Sequence, residues 1–339
     1  MRSKIFIVLI IALSAGSNYL CAQHKDAGTT AFPLLNTKYD ARSIAMSGAS
    51  VAMPNDLYGV FTNPSTFVQD TGKMGVFLGY NFITDGIWGI PIALSRSFDK
   101  YGSFAINLFS VTSGDIVAMD ENNKQTGGIA RWDFLTGGLT WGYRITGNLS
   151  IGASLNGIYE RAVNDKHIEY SADGIMCNLG VQYRMNNNRI ILGLVLKNAG
   201  FMINSYSSGN DRAVLPLTIE GGISFVPKNV PRLRLALDVN KSIGDYINFE
   251  PAFEYNIYRK MLFARLGYAF SQKDAMNVVH ILQGEENPDY VKSNMSGLCV
   301  GTGFITAIKE RTVKLDFGMQ FQTFQTTPSL NVSALVDLK

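Results

Sequence analysis

Residues Val313–Phe321 read Val-Lys-Leu-Asp-Phe-Gly-Met-Gln-Phe. Val313, Leu315, Phe317, Met319 and Phe321 fall on one side of an extended chain. Lys314, Asp316, Gly318 and Gln320 fall on the other. A period of two is the mark of a β-strand. The pattern recurs along most of the chain, in blocks close to the about 9–11 residues that a tilted strand needs to cross a bilayer. Fourteen candidate strands follow, beginning Met74–Ile83, Trp88–Arg96, Gly102–Val111 and Asp133–Arg144, and ending Gly297–Ala307, Val313–Gln322 and Ser329–Leu338.

Alternation alone does not say which face is inside. In a soluble sandwich the apolar face is the core and the charges are wet. In a membrane barrel the apolar face meets lipid and the charges line the lumen. The connections separate the two. Links after even-numbered strands are short, as at Asp99, Thr146–Asn148, Asn186–Asn188 and Arg259–Lys260. Links after odd-numbered strands include all the long ones: 112–132, 162–173, 199–214 and 272–296. Tight turns on one side and long loops on the other are the habit of bacterial outer-membrane barrels. The expected fold is therefore all-β, a fourteen-stranded antiparallel outer-membrane β-barrel over residues 74–339. Aromatics near strand ends, among them Tyr80, Trp88, Trp141, Tyr143, Tyr183, Tyr268, Phe270, Phe321 and Phe324, are candidates for an interfacial girdle.

Composition agrees. Charged residues are 17 % of the chain, against about 25 % in soluble domains. The formal net charge is +3, and Arg2 and Lys4 supply two of those charges. A nucleic-acid footprint is excluded. Residues 1–22 read as a secretory signal peptide: a basic start, an apolar run from Ile5 to Ala15, and small residues before Gln23. A lipoprotein site at Cys21 is the alternative. Export without an apolar helix of about 20 residues leaves a soluble protein or a barrel. Cys177 and Cys299 are expected as thiols within strands, with a disulfide as the alternative.

Residues 23–73 differ. Thr37–Phe67 is rich in Ala, Ser, Gly and Met and lacks alternation. Ser43–Val51 suits a helical turn or tight coil, and Asn63-Pro64-Ser65 a turn. A short N-terminal segment of this kind, ahead of a barrel, is expected to fold into the lumen as a hatch or plug. The run Tyr39-Asp40-Ala41-Arg42-Ser43-Ile44-Ala45-Met46-Ser47-Gly48-Ala49-Ser50-Val51-Ala52, with Asp56 and Asn63-Pro64, resembles the N-terminal signature of the PorV/PorQ family of FadL-like barrels. Gly193–Gly200, Leu215–Thr218 and Ala236–Asn240 resemble its middle strands. The resemblance implies the outer membrane of a Bacteroidetes-type bacterium. It also implies service to type IX protein secretion, with exported cargo or the surface-attachment complex as partners.

Chemistry is sparse. His24, His167 and His280 lack metal-ligand spacing, and nucleophile elbows and phosphate loops are absent. The chain is expected not to be an enzyme and to use no cofactor. Inward carboxylates Glu220, Asp238, Glu250, Glu254 and Asp316 share a face with Arg234, Arg265 and Lys314. Their expected role is an ion network binding wall to hatch, since charges away from water need partners. Asp40, Arg42, Gly48, Asn63 and Pro64 are the hatch's candidate contributors. A catalytic carboxylate pair in the lumen is the rival expectation. Met276–Leu282, in the 272–296 loop, forms an apolar patch read as either a docking surface or loop packing. Three functions stay open: a secretion accessory, a conduit for a hydrophobic small molecule with Phe, Met and Leu lining a pocket under the loops, and a hydrolase.

Overall fold

A computed structural model describes residues 30–338, apart from 55–56, 69–72, 85, 120–123, 165–167, 207–213, 273, 275–296, 309–310 and 323–326. The expected leader, the three histidines, Phe324 and the patch at 276–282 lie outside the described residues.

The strands are β1 (Met74–Thr84), β2 (Ile87–Phe98), β3 (Gly102–Thr112), β4 (Ile116–Met119) and β5 (Gln125–Arg144). Then come β6 (Leu149–Val163), β7 (Glu169–Met185), β8 (Ile190–Asn204), β9 (Thr218–Phe225) and β10 (Leu233–Ser242). The set ends with β11 (Ile247–Tyr258), β12 (Leu262–Ser271), β13 (Gly297–Ile308), β14 (Arg311–Gln322) and β15 (Ser329–Leu338). Neighbours pair antiparallel, β1 pairs with β15, and β3 pairs directly with β5. The result is a closed barrel of fourteen strands. Among the described residues, the additional strand β4 pairs only with the loop-side end of β5, Ile116 opposite Ala130. It was not expected, because a four-residue piece is too short to show a period.

Burial settles the question of faces. Ile106 and Leu139 are 62 % exposed on the outer wall, while Glu220 and Asp238 are 1 % exposed within. A soluble sandwich would show the reverse. Hydrocarbon touches the apolar side, and closure leaves no unpaired sheet edge in it. Counted over the fourteen barrel strands, leaving out β4, the long links follow odd strands: β2 and β3 join through a three-residue turn, while β8, the seventh barrel strand, is separated from β9 by residues 205–217. Strands β5 to β8 run 15–20 residues, so they extend past the bilayer on the long-loop side. Stacked pairs Tyr80–Trp88 and Trp141–Tyr143 sit near opposite ends, as a girdle requires.

Two tight turns use the left-handed region. Asn186, Asn187 and Asn188 have φ of 50°, 55° and 64°, which asparagine tolerates. Arg259 and Lys260 adopt φ of 39° and 60°. There the Asn256 side chain accepts the Lys260 amide at 2.9 Å and fixes the reversal.

Ile106 gives a direct test. Ile106→Arg puts a charge on the lipid face and is expected to cost about 2–4 kcal/mol near the bilayer midplane. Reversible unfolding in lipid vesicles measures it. A cost near zero would contradict the lipid-facing assignment.

Candidate functional site

The segment before β1 lies inside the barrel. It consists of 3-10 turns at Pro33–Asn36, Leu57–Val60 and Pro64–Phe67 and one short helix, α1 (Ala41–Ala45). Each piece is locally encoded. Asp40 caps α1 by accepting the Ser43 amide at 2.8 Å. Asn63 caps the last turn, accepting the Ser65 amide at 3.1 Å, with Pro64 at its first position. The turn that follows α1 closes at Gly48, whose amide bonds the Ser43 carbonyl at 2.8 Å and whose φ is +108°. A Cβ there would lie 2.4 Å from the Glu250 carboxylate. Gly48 is needed both for its backbone angle and for its missing side chain.

Glycines on the wall receive the hatch. A Cβ on Gly152 would lie 2.3 Å from the Pro64 carbonyl carbon, on Gly180 1.9 Å from Asn63 Oδ1, and on Gly193 2.2 Å from the Val51 oxygen. On the opposite wall, one on Gly301 would lie 2.4 Å from Ala45 Cβ, and one on Gly318 2.4 Å from the Ala41 oxygen. Gly301 therefore admits the hatch, which accounts for glycine within the Gly301-Thr302-Gly303 strand. Wall side chains satisfy hatch backbone groups that water would otherwise serve. Asn81 donates to the Tyr39 carbonyl at 3.1 Å, Gln182 to Met53 at 2.7 Å and Ser224 to Ala52 at 2.7 Å.

Two ion clusters lock the hatch. Nearer the long loops, Lys38 lies 3.4 Å from Glu220 and 3.5 Å from Glu250. Lys197 also bonds Glu220. Asp238 accepts the Ser50 and Val51 amides at 2.7 and 2.8 Å. Carboxylate oxygens of Glu220, Asp238 and Glu250 lie within 4.8 Å of one another, close enough to share a cation. The Lys38 ammonium fills that role for Glu220 and Glu250. Burial alone would lower its pKa, but the carboxylates of Glu220, Glu250 and Asp238 outweigh burial and raise it above the free-lysine value. The ammonium therefore keeps its proton at neutral pH and gives it up only in strong alkali. Burial likewise pushes the Tyr39 phenol upward.

Nearer the short turns, Arg42 donates from Nε and Nη2 to Glu254, both at 3.1 Å. Arg265 donates to Glu254 at 2.8 Å and to Asp316 at 2.6 Å. The Tyr58 hydroxyl donates to Asp316 as well. Arg234 sits opposite Glu254 in register and donates to Ser224 at 2.9 Å. Lys314 lines the mouth beside Asp316.

The sequence-derived candidates thus converge on one lumen. Arg42, Glu254, Arg265 and Asp316 form one cluster, with Arg234 and Lys314 beside it. Asp238 and Glu250 belong to the other. Gly48, Asn63 and Pro64 shape the hatch. Asp40 serves mainly as a helix cap. Sequence reasoning missed Lys38, Lys197, Tyr58 and Gln182. Lys197 was legible, since Ile191, Gly193, Val195 and Lys197 alternate. The bulge after it sets Asn198, with φ of 59°, on the lumen side as well. Cys177 and Cys299 are free thiols.

Between hatch and wall, under the long loops, is a cleft partly open to solvent, with a cavity volume of about 50 Å³. Leu35, Tyr39, Phe61, Phe109 and Met176 supply its apolar side, and Asn107, Asn178, Asn198 and Asn248, with the charged Lys38, Lys197, Glu220 and Glu250, its polar side. Phe32, Phe134, Ile158, Met202 and Leu215 extend the apolar layer around it.

Fold and lumen together define a plugged β-barrel of the outer-membrane type. Comparison with solved structures finds FadL-family barrels among its neighbours. The toluene transporter TodX of Pseudomonas putida matches with TM-score 0.59 and 15 % identity, covering 88 % of this chain and 97 % of that one. A TodX monoaromatic hydrocarbon channel mutant matches with TM-score 0.59 and 15 % identity over 90 % and 99 %. A FadL homologue of Pseudomonas aeruginosa matches with TM-score 0.50 and 12 % identity over 89 % and 97 %. At these identities the likeness shows the fold. No protein-family model and no curated protein sequence matches the chain.

Three substitutions test the lock. Gly152→Val drives a side chain into Pro64 and is expected to unseat the hatch, raising single-channel conductance while far-UV dichroism keeps its strand signal. Arg42→Ala removes one of the two arginines on Glu254 and is expected to raise conductance less. Glu254→Leu removes the carboxylate both arginines share and is expected to cost about 3–5 kcal/mol in unfolding free energy. Conductance unchanged in all three would refute the lock.

Proposed function

We propose that this chain is a non-catalytic outer-membrane barrel that binds a hydrophobic small molecule under its long loops and passes it inward past the hatch. One observation carries the reading: hatch residues Leu35, Tyr39 and Phe61 meet wall residues Phe109 and Met176 in an apolar patch on one side of an otherwise polar cleft. Small-molecule sites pair such apolar surface with placed polar groups. The shared fold with TodX supports it. A hydrolase reading has little left to use, because the carboxylates of both ion clusters are taken up by lysines, arginines, a tyrosine and hatch amides.

A second reading rests on the hatch sequence. The residues that resemble the PorV/PorQ signature, Tyr39–Ala52 with Asn63-Pro64, are the ones that build and lock the hatch. An ion-locked hatch suits a barrel whose business is with protein partners at the membrane surface, here type IX secretion cargo or the attachment complex.

Purified barrel in detergent, titrated with a small aromatic hydrocarbon, is expected to show saturable binding. Phe109→Asn, in the cavity wall, is expected to weaken it by roughly tenfold, consistent with about 1.5 kcal/mol of lost apolar burial. No binding by the native barrel, together with co-purification of exported proteins from native membranes, would favour the secretion reading instead.

A further inference from the structure

One lumen carboxylate stands outside both ion clusters. Glu160, on the loop-side part of β6, is 8 % exposed. Its register neighbours are Phe134 on β5 and Ala172 on β7, both buried. One carboxylate oxygen, Oε1, accepts the indole N–H of Trp132 at 2.9 Å. The other, Oε2, is buried and has no hydrogen-bond partner. The Tyr206 hydroxyl approaches the same carboxylate, which adds to burial in pushing that phenol's pKa upward. Indole and phenol are both neutral. The basic side chains adjacent in sequence and register serve exposed acids: Arg131 binds Asp133 at 3.3 Å, and Arg161 binds Glu169 at 2.8 Å. Among the described residues Glu160 makes no ion pair, whereas Glu220, Glu250, Glu254 and Asp316 each make at least one.

A buried polar atom without a partner is costly, and more so on a carboxylate. A ligand that donates a hydrogen bond to Oε2 removes that cost. One that is also positively charged supplies a counter-ion, and in an apolar setting a charge-assisted bond is the stronger kind. The surroundings favour an organic cation over a metal ion. Trp132 and Phe134 stack with ring centroids 6.4 Å apart, and aromatic rings attract ammonium groups. They add no oxygen, where a hard cation such as calcium takes about six to eight. The Phe109 ring lies 6.3 Å from that of Phe134, so one apolar layer joins Glu160 to the cleft above the hatch.

We propose that Glu160 is the recognition group for a hydrophobic amine, whose ammonium bonds Oε2 beside Trp132 and Phe134 and whose apolar body lies along Phe109 toward the hatch. The proposal rests on the reading that the barrel binds a hydrophobic small molecule under its long loops, and it names the class of that molecule. A solute of the same shape bearing a carboxylate is rejected, because like charges would meet in an apolar setting.

Calorimetric titration of the full barrel in a neutral detergent, at neutral pH and fixed ionic strength, tests this with phenethylamine, 2-phenylethanol, 3-phenylpropionate and toluene. Phenethylamine is expected to bind saturably. 2-Phenylethanol, which donates a hydrogen bond without the charge, is expected to bind roughly tenfold more weakly, the worth of charge assistance in one hydrogen bond. 3-Phenylpropionate is expected to bind more weakly still. Glu160→Gln keeps the shape and removes the charge, and is expected to lower phenethylamine affinity on the order of tenfold. Far-UV dichroism checks that this variant is folded. Toluene binding without saturable phenethylamine binding would overturn the proposal and leave the broader reading standing. So would equal native affinity for phenethylamine and 2-phenylethanol, or equal phenethylamine affinity of native and folded Glu160→Gln barrels. Failure of all four probes to bind the native barrel would overturn both.

Discussion

Hydrocarbon offers no hydrogen bonds, and this one fact organises the molecule. Every amide and carbonyl at membrane depth must find its partner within the protein, so the sheet has to close. Pairing of β1 with β15 and of β3 with β5 achieves this. Closure gives the wall two faces in different solvents. The outer face takes Ile106, Leu139, Leu155 and Ile219. Whatever polarity the strands carry is then confined to the lumen.

Confinement creates a second problem, which the hatch answers. Charges facing a narrow lumen lose much of their hydration and become costly unless paired. The wall pairs some itself, as Arg265 does with Glu254 and Asp316. The hatch brings the rest: Lys38 for Glu220 and Glu250, Arg42 for Glu254, and two backbone amides for Asp238. Such networks contribute little net stability, because desolvation offsets most of the attraction. Their value here lies in register. A hatch shifted along the lumen would leave carboxylates unpaired at both levels, so one seat is favoured.

The barrel was readable because the two solvents impose strict alternation. Val313–Phe321 shows it fully, and the boundaries of β12 and β15 match the expected strands residue for residue. Loop parity was equally legible, since it follows from antiparallel neighbours with one side anchored by tight turns. The hatch was visible only as a break in periodicity. Which wall residue meets which hatch residue depends on the tilt and shear of the closed sheet, and no local pattern encodes those. That is why Lys38 and Tyr58 went unassigned, although Arg42 and Asp316 were picked out. The long reach of β5 to β8 was underestimated for a related reason: past the bilayer the outer face need no longer be apolar, and the signal fades while the strand continues.

The glycine-lined contacts on both walls have a mechanical consequence. Where main chain lies against main chain, contact distances are fixed by atoms that cannot rotate away. Dispersion falls off within about an ångström of such a surface. A partial displacement therefore forfeits adhesion on β6, β7, β8, β13 and β14 together and gains no intermediate resting place. Permeation through this lumen, if it occurs, is governed by two occupancies of the stopper, home or displaced, and not by an aperture of adjustable width.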